Sequence, residues 1–207
     1  KSTLIKILAG AYQMEEGEIW IEGKKASIHS PRDARRHNIE TIYQTLALAD
    51  NLDAPSNLCL GRELTNKFGL VDDARMEAET RKIMARLNPN FQKFADPVSA
   101  LSGGQRQRVV IAIAISQKPK LLIADEPTTA LDVTTQAKIM SLLKDLILQD
   151  NMGMLLISHD LGVVTDVADH IIIMKSGEIV EEGPTAHFFN DIKHEYTKAL
   201  FAAAMQK

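Results

Sequence analysis

Between residues 121 and 174 the chain alternates short apolar runs with longer amphipathic ones, and no other feature constrains the fold as much. Leu121-Leu-Ile-Ala124 and Met154-Leu-Leu-Ile157 carry no polar side chain and are too short for helices, the pattern of strands buried on both faces. Between them Asp132 is placed to cap a helix over 132–149, with Val133, Gln136, Met140, Leu143 and Ile147 along one stripe. A short helix over 161–168 and a third strand over 170–174 follow. Ser176-Gly177 then turns the chain into a hairpin arm over 178–181. Strands alternating with helices predict an α/β fold built on a mostly parallel sheet flanked by helices. With 207 residues the chain is long enough for one such domain with a proper core.

The front half has a different texture. An apolar helix over 2–9 ends at Gly10, and Glu18-Ile-Trp-Ile-Glu22 alternates as a half-buried strand does before the turn at Gly23. Ile39-Glu-Thr-Ile-Tyr43 is a second strand candidate leading to Gln44. Together these predict a small β-rich region after the first helix. A helix over 73–87 sets Met76, Ile83, Met84 and Leu87 on one face, and Asn88-Pro89-Asn90 breaks it. Another helix is expected over 104–116 and a last one over 200–205.

Formal net charge is −3, which argues against a nucleic-acid partner met through a broad basic face. The single cysteine, Cys59, rules out an internal disulfide, fits a reducing cytosol and is expected to fill a core position. The longest apolar run, residues 109–115, falls far short of the roughly 20 residues of a membrane-spanning helix. Any service to a membrane is therefore expected from its side, through a partner.

Several short motifs carry chemistry. Lys1-Ser2-Thr3 opens a helix, as the last residues of the phosphate-binding pattern G-x-x-x-x-G-K-[ST] do. There the lysine reaches phosphates and the hydroxyl holds Mg²⁺. The glycines of that pattern are expected before Lys1, and both ends of the chain are expected to be cuts. Asp125 and Glu126 follow the apolar strand at its C-terminal end, where open α/β sheets bind ligands. Asp125 suits Mg²⁺ and Glu126 suits proton acceptance from water. In Leu101-Ser-Gly-Gly-Gln105, free amides, a hydroxyl and the positive end of a helix make an anion site. His159 follows the strand over 154–157 and is chemically able to bond a phosphate. Gln44 ends a strand, placed to orient water or touch a metal.

The order of these motifs resembles that of the ABC ATPases: Lys1-Ser2, Gln44, Leu101 to Gln105, Asp125-Glu126, Ala130-Leu131-Asp132 and Ser158-His159-Asp160. The resemblance spans essentially the whole chain. It implies a P-loop NTPase fold of ABC ATPase type, a single domain over 1–207 with a small antiparallel β region and a helical subdomain over about 46–116. By resemblance the ligands are ATP and Mg²⁺. Lys1, Ser2 and Thr3 would meet the phosphates, Ser2, Gln44 and Asp125 the metal, and Glu126, His159 and Gln44 would be catalytic. Two such domains pair head to tail in the family. Ser102, Gly103, Gly104 and Gln105 would then face nucleotide on the partner, and Asp132 would link the two sites. Transmembrane permease subunits, an indirectly coupled solute-binding protein and a cytoplasmic position on the inner face of the membrane are implied in the same way.

Within the family the front, through about Gln107, resembles bacterial sugar importer ATPases, as in Gly17-Glu-Ile-Trp-Ile-Glu-Gly23 and Asn57-Leu-Cys-Leu-Gly-Arg-Glu63. The back, from about Arg108, resembles dipeptide and oligopeptide importer ATPases, as in Pro119-Lys-Leu-Leu-Ile-Ala-Asp-Glu-Pro-Thr-Thr-Ala-Leu-Asp132 and His194-Glu-Tyr-Thr-Lys-Ala-Leu200. A hybrid that powers sugar import is expected. The alternatives are dipeptide import, a non-transport ABC ATPase of DNA repair or translation, and a remnant that binds Mg-ATP poorly for want of the phosphate-loop amides.

Overall fold

In the computed structural model, residues 1–190 and 192–204 are described. The expected helix tail at Met205 lies outside them. The chain opens with α1 (Ser2–Leu8), then the strands β1 (Ile19–Ile21) and β2 (Lys24–Ala26). Next come α2 (Pro31–Arg36), β3 (Ile39–Ile42), α3 (Ala54–Cys59), α4 (Asp73–Leu87) and α5 (Gly103–Ile115). The back half runs β4 (Leu121–Asp125), α6 (Val133–Asp150), β5 (Gly153–Ile157), α7 (Leu161–Val167), β6 (His170–Lys175), β7 (Glu178–Pro184), α8 (Thr185–Phe188) and α9 (Glu195–Ala204).

The centre is a parallel sheet of order β3-β4-β5. Its middle strand shows why an unbroken apolar run was needed. Leu122, Ile123 and Ala124 are fully buried, and because strand side chains alternate, consecutive residues serve opposite faces. Leu122 joins a large core with α3, α4, α5 and α6, while Ile123 joins a second core with Ile5 of α1, Ala34 of α2 and Ile39. Burying each such side chain contributes roughly 1.5–3 kcal/mol.

Two expectations change. The segment over 39–43 was expected in the small β-rich region, yet β3 pairs in parallel with β4, Ile39 opposite Leu121 through Ile42 opposite Ala124. Its ends are buried on the two different cores, so it needs cover on both faces, which only the central sheet supplies. The antiparallel pair is instead β1 with β2, joined by Glu22 and Gly23 at φ 51° and 73°. In α6 the expected stripe holds at Met140, Leu143 and the partly buried Ile147 and fails at its start. Val133 is 83% exposed, and the buried face is Ile139, Met140, Leu143 and Leu146.

The third strand, β6, bonds antiparallel to β7 as the expected hairpin, turning at Ser176 and Gly177, both at positive φ. Among the described residues this pair forms its own sheet. Cys59 is buried as expected, and burial pushes its thiol up. No helix among the described residues is long and apolar enough to cross a membrane.

Candidate functional site

The parallel strands end together, and their C-terminal ends deliver the chemistry. β4 ends at Asp125, and the next residue, Glu126, adopts φ 48°. A left-handed conformation costs a residue with a Cβ roughly 1–2 kcal/mol. The Glu126 amide donates to the Ile157 carbonyl at 2.9 Å, which ties the turn to the end of β5. The strain thus holds one carboxylate at the sheet's edge, a cost typical of functional positions.

Three elements converge on a single oxygen of that carboxylate. The Thr129 hydroxyl donates to Glu126 Oε2 at 2.9 Å, Gln44 Nε2 donates to it at 3.4 Å, and His159 Nδ1 lies 3.3 Å away. Gln44 follows β3, Glu126 follows β4 and His159 follows β5. Oε1 accepts no hydrogen bond among the described residues. Three of the expected residues, Gln44, Glu126 and His159, are therefore brought together. Thr129 was missed, although it lies three residues after Glu126 in a Pro-Thr-Thr turn, where a hydroxyl readily folds back on a neighbouring side chain.

Asp125 stands beside them with no hydrogen bond to its carboxylate among the described residues. Partial burial pushes its carboxyl up, and the charge of Glu126 adds to this, against the pull of nearby cations that include Lys6. α1 packs on β4, with the exposed side chains of Lys1, Ser2 and Thr3 at its start. Two adjacent carboxylates, one unpartnered and partly desolvated, make an environment that a divalent cation would relieve. Among the described residues no group of three or more acidic, His or Cys side chains surrounds a metal position. Mg²⁺ needs no such cage, since it binds through one or two carboxylates with water and phosphate oxygens. Asp125, Ser2 and Gln44 carry oxygen donors of the kind it takes.

The remaining expected residues lie apart. Ser102 caps α5 in a reciprocal box: its Oγ accepts from the Gln105 amide at 3.4 Å, and Gln105 Oε1 accepts from the Ser102 amide at 3.0 Å. The Gln105 oxygen is thereby engaged on its own helix, which leaves its Nε2 to donate elsewhere. The Gly103 and Gly104 amides have no intrahelical acceptor by position, which leaves donors at the positive end of a 13-residue helix. Both glycines lean on the start of α6. A Cβ on Gly104 would lie 2.7 Å from Thr135 Cγ2, and one on Gly103 would lie 3.3 Å from a Leu131 methyl. Asp132 caps α6 through Oδ1, accepting from the Thr135 amide at 2.9 Å. That bond, with the Thr135 side chain, holds its carboxyl below the usual range. No hydrogen bond among the described residues joins Ser102, Gly103, Gly104 or Asp132 to the Glu126 cluster.

The ABC transporter family model matches residues 1–129. The xylose/arabinose import ATP-binding protein of Sulfolobus acidocaldarius is 41% identical over 180 residues, 87% of this chain and 71% of that protein. A Brucella abortus ATP-binding protein named for peptide import is 56% identical over 177 residues, 83% of this chain and 52% of that protein. This chain thus spans about half of the second relative, and each match reaches into both of its halves. Among solved structures, the dimeric post-hydrolysis state of an ATP-binding cassette bound to ADP and Pi superposes with a TM-score of 0.72 at 28% identity. That match covers 89% of this chain and 80% of the other. A family model matched over more than half of the chain and a long alignment at 41% identity leave one assignment: the chain belongs to the ABC transporter family, as an ATP-binding domain of the import ATPase kind.

Proposed function

We propose that this protein binds and hydrolyses ATP to power solute import, with Glu126 as the base that takes a proton from water. The observation that carries this is the convergence on Glu126 Oε2. Thr129, Gln44 and His159 hold one oxygen, which fixes the carboxylate's orientation and leaves Oε1 to accept the proton. Lys1, Ser2 and Thr3 meet the phosphates, and Asp125, Ser2 and Gln44 hold Mg²⁺. When bound, the metal neutralises phosphate charge, and catalysis of this kind is largely positioning and electrostatics.

Ser102, Gly103 and Gly104 serve nucleotide held by a second copy arranged head to tail, and Asp132 lies where the two would meet. Their separation from Glu126 within one chain supports this, as does the dimeric state of the ADP-bound relative. Residues 46–116 act as the helical subdomain that faces permease subunits, on the cytoplasmic side of the membrane. A solute-binding protein supplies the cargo indirectly.

Sugar import is the favoured cargo reading, since the relative named for xylose and arabinose covers 87% of the chain. Peptide import is the second reading, favoured by the higher identity of the Brucella relative. Glu126→Gln in the intact protein decides the mechanism. Turnover should fall about 100-fold or more while ATP binding persists, in keeping with the loss of a general base. Wild-type turnover in that variant removes Glu126 from the role. Stimulation of ATP hydrolysis in the reconstituted transporter by pentose-loaded or by dipeptide-loaded binding protein separates the two cargo readings.

A further inference from the structure

We infer that Gln136 is a positioning residue for His159, acting through Asp160. Gln136 lies in the first turn of α6 and donates from Nε2 to Asp160 Oδ2 at 2.8 Å, across 24 residues of sequence. Asp160 organises the loop that carries His159. Its Oδ1 accepts from the Val163 amide at 3.4 Å and so caps α7, while its own amide donates to Ser158 Oγ at 3.0 Å. The imidazole is exposed, and its single polar contact among the described residues is the 3.3 Å approach to Glu126. A second tie from α6, Lys144 Nζ donating to the Asp166 carbonyl at 3.0 Å, and the packing of Val163 and Val167 on the core hold α7 further along, so among the described residues Gln136 is the bond from α6 that lies nearest in sequence to His159.

The same turn of α6 backs the other set of functional residues. Leu131 and Thr135 pack under Gly103 and Gly104, and Asp132 caps the helix. One turn thus touches the anion-binding glycines with Thr135 and the histidine loop with the next residue, Gln136. On the head-to-tail reading these belong to different nucleotide sites, so Gln136 carries the position of one site's glycines to the other site's histidine. This rests on the ATPase reading above.

Three variants test it in the intact protein: Gln136→Ala, Gln136→Glu and Gln136→Lys. Alanine removes the donor, and glutamate sets a like charge against Asp160. Both should lower kcat about tenfold, the effect of losing a hydrogen bond to a charged group. KM for ATP should stay within about twofold, because the lost contact does not touch substrate. Lysine restores a donor to Asp160 and should stay within about threefold of wild type. A second readout needs no nucleotide. Amide hydrogen exchange over residues 158–163 should quicken about fivefold or more in the alanine and glutamate variants, with the rest of the sheet unaltered. Wild-type kcat together with wild-type exchange in Gln136→Ala overturns the inference, as does a lysine variant as slow as alanine. If Glu126→Gln keeps its turnover the ATPase reading falls, whereas the exchange result still decides whether Gln136 holds the loop.

Discussion

Gly10 ends α1, the helix that carries Lys1 and Ser2, and its replacement by alanine makes a sharp test of how that helix is anchored. The residue sits at φ 71°, and a Cβ there would lie 2.2 Å from the Ser30 carbonyl oxygen and 2.3 Å from its carbon. Both are backbone atoms at the capped start of α2, where Ser30 accepts from the Asp33 amide. No rotamer change relieves the contact, so the chain must open by more than an ångström. The left-handed conformation costs alanine about 1–2 kcal/mol, and forcing the backbone apart adds about 1–3 kcal/mol. Gly23 is the control, since its φ is 73° and nothing lies within 4 Å of the added carbon. Gly23→Ala should therefore show the conformational cost alone. For a domain of this size 1 kcal/mol moves Tm by roughly 2–4 °C. The expected losses are about 4–20 °C for Gly10→Ala and about 2–8 °C for Gly23→Ala, read by thermal melting of both variants in one buffer. Equal losses would refute the claim that close approach to Ser30 is what requires glycine at position 10.

Two further outcomes follow from the site and the sheet. Thr129→Val removes one donor to Glu126 Oε2 at nearly constant volume, so kcat should fall about three- to tenfold, as for one hydrogen bond to a charged group, with KM for ATP unchanged. Steady-state kinetics at saturating Mg²⁺ check it, and unchanged kcat would show that the hydroxyl has no part in holding the base. Glu40, on β3, is largely buried, and desolvation pushes its carboxyl above the usual 4.5 against the opposing charges of Arg35, whose Nε is 3.4 Å away, and Arg62. A carboxyl raised in the folded state binds its proton more tightly there. The stability this confers is complete below the ordinary glutamate range and is lost as pH rises through the raised folded value. Glu40→Gln should flatten that part of the urea-midpoint profile and raise the midpoint at neutral pH. A lower midpoint at neutral pH would mean that the Arg35 pairing outweighs desolvation.

The parts of the fold legible in the sequence were those where one physical requirement dominates a short stretch. β4 is an unbroken apolar run because both its faces are covered, whereas β5, read in the same way, is only half-buried and is an outer strand of the described sheet. Asp132 and Ser102 announce helix starts because their side chains answer orphan amides. β3 was read in the wrong sheet, because four residues with a Glu and a Thr between two isoleucines fit a half-buried strand as well as a central one. Pairing partners separated by some eighty residues leave no local mark. Two short helices, α2 and α3, escaped notice although Ser30-Pro31 and Asp53-Ala54-Pro55 supply a cap and an early proline. Within the site, Gln44, Glu126 and His159 were found as motif members, but their meeting on one oxygen depends on three strands ending in register. Thr129 and Gln136 were invisible as partners because each acts through another side chain, and a hydroxyl or amide in a polar turn has no distinctive spacing.

The division of the expected site into two groups has a physical cause inside the chain. Asp132 and Gln105 are expected nucleotide-site residues, yet both have their side-chain oxygens engaged in capping their own helices. Capping fixes the helix ends, and fixed ends set the amides of exposed Gly103 and half-exposed Gly104 at the positive end of the dipole. Capping uses only acceptor oxygens, so the Ser102 hydroxyl hydrogen and the backbone amides remain as donors for an anion. At the sheet's edge the assignment is reversed: the strained backbone of Glu126 is the scaffold, and the side chain is left to act. Because α6 begins between the two groups, any shift of its first turn moves both. On the head-to-tail pairing proposed above, backbone amides at one end and a carboxylate at the other are half-sites, and a second copy of this chain would carry the complement of each.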